Sequence, residues 1–197
     1  MINGVTQLEI LDFSHNRISN DGAIALAKLI SWHKSLQELK LCNNYIGSLG
    51  IEGISFALAR SPALAHLDLR LNSYVGDEGG IFLCSALSQN TKLKSLFLAA
   101  CGLGSKAGKF VGEMFKVNST LLEMDLSNND LTEESGELLN QGLIKNFKLQ
   151  KLDLRMTNVS QAWEFAINEQ LARNIANSTR NNINSNSQPN MKTIEES

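Results

Sequence analysis

The sequence lacks the features that mark several large classes of protein. No stretch approaches 18 apolar residues, so no segment reads as a membrane-spanning helix. The opening MINGVTQLEILDF has no basic start, apolar run and small-residue cleavage site, and does not read as a secretory signal. Basic blocks are missing too. Lys and Arg total 18 against 20 Asp and Glu, a net charge of -2, so charge gives no reason to expect a nucleic acid or a lipid surface as partner. Cysteine is scarce: Cys42, Cys84 and Cys101 form an odd set without C-x-x-C spacing, which argues against a disulfide framework and for a reducing compartment. Prolines number two, Pro62 and Pro189. The 197 residues, 43% of them hydrophobic, suffice for one good-sized domain with a core and not for two large ones. The expectation is a soluble, intracellular protein.

What is present is a repeat. L-x-x-L-x-L-x-x-N recurs six times, as LEILDFSHN from Leu8, LQELKLCNN from Leu36, LAHLDLRLN from Leu64, LKSLFLAAC from Leu93, LLEMDLSNN from Leu121 and LQKLDLRMT from Leu149. The starting leucines are spaced 28, 28, 29, 28 and 28 residues apart, and the one extra residue falls after Asn72, at Ser73-Tyr74-Val75. Each unit continues into two further apolar columns four residues apart. One is Leu26, Ile54, Leu83, Val111, Leu139 and Ile167; the other is Ile30, Leu58, Leu87, Phe115, Leu143 and Leu171. A four-residue step is a helical face. Gly22, Gly50, Gly79, Ala107-Gly108 and Ser135-Gly136 are read as preceding the first five helices. Each unit is therefore a short strand, a turn at the Asn column and a helix of about three turns. This is the leucine-rich repeat, and its 28-residue helical form resembles the ribonuclease-inhibitor type.

The column residues divide the work. The leucines point inward and build a core shared between neighbouring units. Asn16, Asn44, Asn72 and Asn129, with Cys101 in one place and Thr157 in the last, sit where the strand bends away, and the amides can satisfy backbone groups that a buried turn would strand. Strands stack at about 4.8 Å, whereas helices need about 8–10 Å between axes, so the stack bends. The expected fold is an α/β leucine-rich-repeat solenoid, a segment of a right-handed horseshoe with a concave parallel sheet and convex helices. Residues 1–173 are assigned to this domain of six units, and the Asn/Ser-rich 174–197 to a disordered tail. No capping helix precedes Leu8, so either more chain or a partner is expected over Ile10 and Leu11.

Catalytic constellations are missing. His66 and Cys42 fall on neighbouring rungs but four residues out of step, roughly 13 Å apart, too far for a nucleophile and its base. The remaining histidines, His15 and His33, form no metal-ligand spacing, and no phosphate-binding glycine motif occurs. Sequons at Asn118, Asn158 and Asn177 read as chance matches. The sequence therefore implies no enzyme activity, no cofactor, no metal and no small-molecule substrate. The concave face is where a solenoid binds protein partners. Its exposed positions are read as Asp12, Lys40, Asp68, Phe97, Asp125 and Asp153, with Ser14, Cys42, Arg70, Ala99, Ser127 and Arg155 two residues on. The first column is an acidic stripe interrupted by Lys40 and Phe97. It can be solvated consensus, since LDLS and LDLR are common repeat strings. It can also be a surface for a basic or mixed-charge segment, with Phe97 as an aromatic anchor beside Ala99, Ala100 and Leu122. Asp12, Lys40, Asp68, Arg70, Phe97, Asp125, Asp153 and Arg155 are the candidate protein-binding residues. Trp163 and Phe165 are read as closing the far end of the core, or as facing a partner subunit.

The last unit narrows the comparison. LDLRMTNV from Leu152, followed by Glu164, Ile167, Leu171 and Asn174, resembles the closing repeat of the T-complex-associated testis-expressed family, the leucine-rich-repeat subunit of the nexin–dynein regulatory complex. In that family an L-D-L-R rung leads into an acidic, Ile/Leu-spaced terminal helix. The resemblance implies a non-enzymatic scaffold among other axonemal subunits, in the cytoskeleton of a motile cilium or flagellum. The alternatives are a cytosolic inhibitor or a receptor-type repeat binder, and a GTPase-activating protein, for which Arg17 and Arg70 are the nominees.

Overall fold

A computed structural model describes residues 7–186. Strands and helices alternate without exception through this range: β1 (Ile10–Asp12), α1 (Asn20–Trp32), β2 (Glu38–Lys40), α2 (Ser48–Leu58), β3 (His66–Asp68), α3 (Gly76–Leu87), β4 (Ser95–Phe97), α4 (Ser105–Phe115), β5 (Glu123–Asp125), α5 (Glu133–Lys145), β6 (Lys151–Asp153) and α6 (Gln161–Asn186). The six strands form one parallel sheet in chain order, and equivalent repeat positions pair across it, so that Leu39 meets Leu67 and Phe97 lies between Asp68 and Asp125. The apolar columns are the core. Leu39, Leu67, Leu96 and Met124 from the strands meet Ile54, Leu83, Val111, Leu139 and Ile167 from the helices, all buried. Leu26 is only partly covered, because no unit precedes α1 among the described residues.

Turn chemistry explains the Asn column. The amide group of Asn72 donates to the carbonyls of Leu41 and Leu69 at 2.9 and 2.8 Å, and its oxygen accepts the Ile46 amide at 3.1 Å. Asn44 and Asn129 repeat the pattern one rung down and two rungs up. Cys101 supplies half of it. Its thiol donates to Leu69 O, while the Gly76 amide turns to the Cys101 carbonyl, beside the one-residue insertion. Asn16, with no rung before it among the described residues, is exposed and bonds to Phe13 and Ser14 of its own turn. The residue before this column is left-handed in every unit, at His15, Asn43, Leu71, Ala100, Asn128 and Met156, with φ between 53° and 60°. For Leu71, Ala100 and Met156 that conformation costs about 1–2 kcal/mol each, offset by the cross-rung bonds it permits.

A second polar column sits at the return from helix to strand, at His33, Ser61, Asn90, Asn118 and Asn146, and its sixth member, Asn174, lies within α6; all are buried. Asn118 is representative. Its oxygen accepts the Thr120 and Leu121 amides and its nitrogen donates to Leu87 O of the preceding unit. The sequon at Asn118 therefore lies in a buried turn.

Two expectations need correcting. The small-residue column does not precede the helices but lies in their first turns, since α1 already begins at Asn20 and α2 at Ser48. Its purpose is close packing: a Cβ on Gly50 would stand 3.0 Å from both Ala23 Cβ and Ile46 Cγ2, and one on Gly79 2.7 Å from Val75. The chain also does not lose its structure at residue 174, because α6 continues to Asn186. Asn174 is buried and donates to Leu149 O at 2.7 Å. Beyond it the helix propagates from a formed nucleus at one hydrogen bond per residue, which polar residues permit. The remainder of the expected tail, 187–197, lies outside the described residues.

Candidate functional site: the concave strand face

Alternation along a strand puts every second residue on the concave face. The face therefore carries three columns. The first is Ile10, Glu38, His66, Ser95, Glu123 and Lys151; the second is Asp12, Lys40, Asp68, Phe97, Asp125 and Asp153; the third is Ser14, Cys42, Arg70, Ala99, Ser127 and Arg155. Of the first column the sequence reading placed only His66 on this face, although the column lies two residues before the aspartates and period-two counting finds it.

The aspartates are not a free acidic stripe. Each one accepts the backbone amide two residues on, from Ser14, Arg70, Ser127 and Arg155, at 2.9 to 3.0 Å, and so fastens the end of its strand. Where that later residue is arginine, its guanidinium folds back over the carboxylate. Arg70 reaches Asp68 at 2.9, 3.1 and 2.6 Å and leaves it 7% exposed; Arg155 does the same to Asp153 at 3.0, 3.0 and 2.5 Å. The i, i+2 spacing of Asp-x-Arg puts both groups on one side of the strand, which is why LDLR closes on itself. The bond from Arg155 holds the Asp153 carboxyl below its ordinary value, and the Ser14 amide does so for Asp12. The same pairings raise Arg70 and Arg155. Lys40 pairs with Glu38 at 3.2 Å, and Lys151 with Glu123 across one rung at 2.6 Å. All four concave-face cations are thus tied to carboxylates, while Asp12 and Asp125 are left with Ser14 and Ser127.

Phe97 stands in the middle of this surface, half-buried, between the Asp68 and Asp125 rungs. The Arg70 guanidinium carbon lies 5.5 Å from its ring centre. Leu96 and Leu98 on either side are buried, so Phe97 faces outward as the register requires. Ala99 and Ala100 lie beside it along the chain, but Leu122 does not belong to this cluster. It lines a separate groove with Phe147, Lys148, Asn177 and Arg180, because it lies on the other end of its strand. Cys42, next to Arg70 on the neighbouring rung, has its thiol pushed up by burial first and by Asp68 second, which makes it a poor nucleophile.

The two ends of the sheet differ from the middle. At β1, Ile10 is 56% exposed. At β6, a cavity of about 270 Å³ opens under the strand, lined by Leu152, Arg155, Glu164, Ile167 and Asn168. Trp163 packs toward α5, where a Cβ on Gly136 would touch it, but Phe165 is 67% exposed. Residues two apart on a helix diverge by about 200°, so the pair cannot close one surface together. Arg173 contributes instead, donating to the Leu143 and Asn146 carbonyls at 2.9 and 2.5 Å, where α5 ends, and standing 4.4 Å over the Phe147 ring.

Comparison with known proteins agrees with this architecture. The model of a family described as Leucine Rich repeat matches residues 6–27, 61–84 and 117–139. Among curated proteins, the Cep78 homolog of Drosophila melanogaster is 32% identical over 99 residues, and human NACHT, LRR and PYD domains-containing protein 5 is 36% identical over 106. Bovine protein phosphatase 1 regulatory subunit 37 is 31% identical over 101. Each match covers about half of this chain, 50%, 52% and 51%, but only 12%, 9% and 14% of the relative. Among solved structures, actin-binding site 2 of leiomodin-1 superposes with a TM-score of 0.74 at 17% identity, covering 84% of this chain and 95% of the other. The tropomodulin C-terminal domain of Caenorhabditis elegans gives 0.71 at 14%, with coverages of 84% and 98%. These two likenesses are of fold. Six repeated units, one parallel sheet in chain order and these neighbours make the chain a leucine-rich-repeat solenoid.

Proposed function

We propose that the chain is a non-enzymatic protein-binding scaffold whose concave strand face receives a partner around Phe97. The observation that carries this reading is the aromatic ring in the centre of a face whose lysines and arginines are all paired. The cations around Phe97 are each held by a carboxylate, so the half-buried ring offers apolar area in the middle of the face. Asp125 lies beside it with no cation of its own among the described residues, which favours a segment that brings a basic residue next to an apolar one.

The finer reading is a subunit of the nexin–dynein regulatory complex, placed in the axoneme of a cilium or flagellum, with other subunits of that complex as partners. It rests on the resemblance of the last unit, from LDLR at Leu152 to Asn174. The test is capture of tagged wild-type and Phe97→Asp chains from a ciliated-cell extract, with unfolding curves recorded for both. Regulatory-complex subunits should come down with the wild type and be lost with a variant that unfolds at the same temperature. Recovery with both would move the interface off the concave face, and recovery with neither would end the axonemal reading.

A further inference from the structure

Away from the concave face, two of the apolar surfaces that the described residues leave exposed match each other. The first is a groove of about 520 Å³ on the convex side between α1 and α2. Small residues Ala27, Gly53 and Ala57 line it, and Ile24, Leu49 and Phe56, 43%, 62% and 71% exposed, stand out along it. Gly53 keeps the two helices close, since a Cβ there would stand 3.0 Å from Ile24 Cγ1. The charged residues at the groove are Lys28 on α1, Glu52 on α2 and Arg60 just past its end, Arg60 lying 4.6 Å over the Phe56 ring.

The second surface is α6 beyond the point where the other helices stop. Here the usual amphipathic arrangement is reversed. Asn174 is buried and Asn177 and Ser178 are half-buried, on the side turned to the body of the protein. The opposite side carries Phe165, Ala172, Ile175, Ala176, Thr179 and Ile183, all exposed. From Ala172 to Ile183 their spacing makes one stripe, the pattern by which a helix seats itself between two others, and Phe165 stands on the same side beyond the exposed Asn168 and Glu169. Residues 174–186 extend for roughly 20 Å, and the 11–13-residue helices that form the groove for roughly 16–20 Å. Charge supplies a direction. Glu169 and Arg180 flank one side of the stripe, so an antiparallel approach to α2 sets Arg180 toward Glu52 and Glu169 toward Arg60, whereas a parallel one opposes like charges. Units three to five lie between the groove and α6, so the two surfaces cannot meet within one chain.

We propose that the exposed stripe of α6 in one copy docks antiparallel into the α1/α2 groove of a second copy, a head-to-tail self-association that leaves the concave face open. The contact is heterologous: each copy offers one groove and one stripe, and association can continue beyond two copies. One helix in one groove is a small interface, so the affinity belongs in the micromolar range or weaker.

Sedimentation equilibrium on the whole chain, up to hundreds of micromolar, tests this with two surface variants. Phe56→Asp spoils the groove and Ile175→Asp the stripe, and both side chains are exposed enough for the fold to survive, which circular dichroism checks. Wild type should show a mass that rises past the dimer with concentration. Each variant alone should dissociate about tenfold or more readily. An equimolar mixture of the two variants should regain association but stop at a one-to-one pair, because only one intact groove and one intact stripe remain between them. A wild type that stays monomeric throughout, association indifferent to both substitutions, or a mixture no better than its components would each overturn the proposal.

Discussion

Asn72 and Asn16 hold the same place in the repeat and do different amounts of work. Asn72 is fully buried and serves the carbonyls of two rungs and the amide of a third segment. Replacing it by Ala leaves those groups buried and unpaired, at about 1–3 kcal/mol for each that water cannot reach. Asn72→Ala should therefore lower the urea-unfolding free energy by at least about 2 kcal/mol, and Asn16→Ala by under about 1. Equal losses would mean that burial does not set the value of this column. The Asp column was legible only in part at this scale. Its position on the concave face followed from period two, but its closure by Arg70 and Arg155 did not. That depends on a side chain choosing its neighbour's carboxylate over water, a choice that strand spacing permits and geometry decides.

Among the elements, the helices could be located from apolar columns four residues apart, but their contacts could not. α4 and α5 approach each other backbone to backbone at Gly112 and Gly142. A Cβ on Gly112 would stand 2.5 Å from Leu138 O, and one on Gly142 would collide with the Gly112 carbonyl. Backbone cannot step aside as the end of a flexible side chain can, so Gly142→Ala should destabilise by about 2–3 kcal/mol despite the better helix propensity of alanine. Thermal unfolding reads this directly; an unchanged or raised midpoint would show that the two helices can slide apart at no cost. α6 was the element most poorly legible. Its Asn- and Ser-rich second half carries too few apolar residues to look structured, yet it continues a helix already nucleated over Trp163, Ile167 and Leu171.

At the scale of the molecule, a solenoid is a row of units that each touch only their neighbours, so stability varies along it. The first unit is the thinnest: Leu8, Leu11, Phe13, Ile18, Leu26 and Leu29 are only partly covered, whereas the equivalents in units three to five are buried. Native-state hydrogen exchange should find α1 amides opening well before those of α3 and α4, as local fraying from one end. Uniform protection along the chain would instead mean that all six units unfold together.

The sequence by itself determined the number of units, their register, the parallel order of the strands and nearly every core side chain. One repeated pattern places equivalent residues in equivalent surroundings, and burial of a column is a property of the pattern. Only the tertiary structure decided which polar groups meet: Arg70 on Asp68, Lys151 across to Glu123 of the previous rung, Arg173 at the carbonyls where α5 ends, Asn174 turned inward and Ile175 outward. Those pairings are set by distances between rungs and by competition with water, neither of which is written into a period of 28 residues.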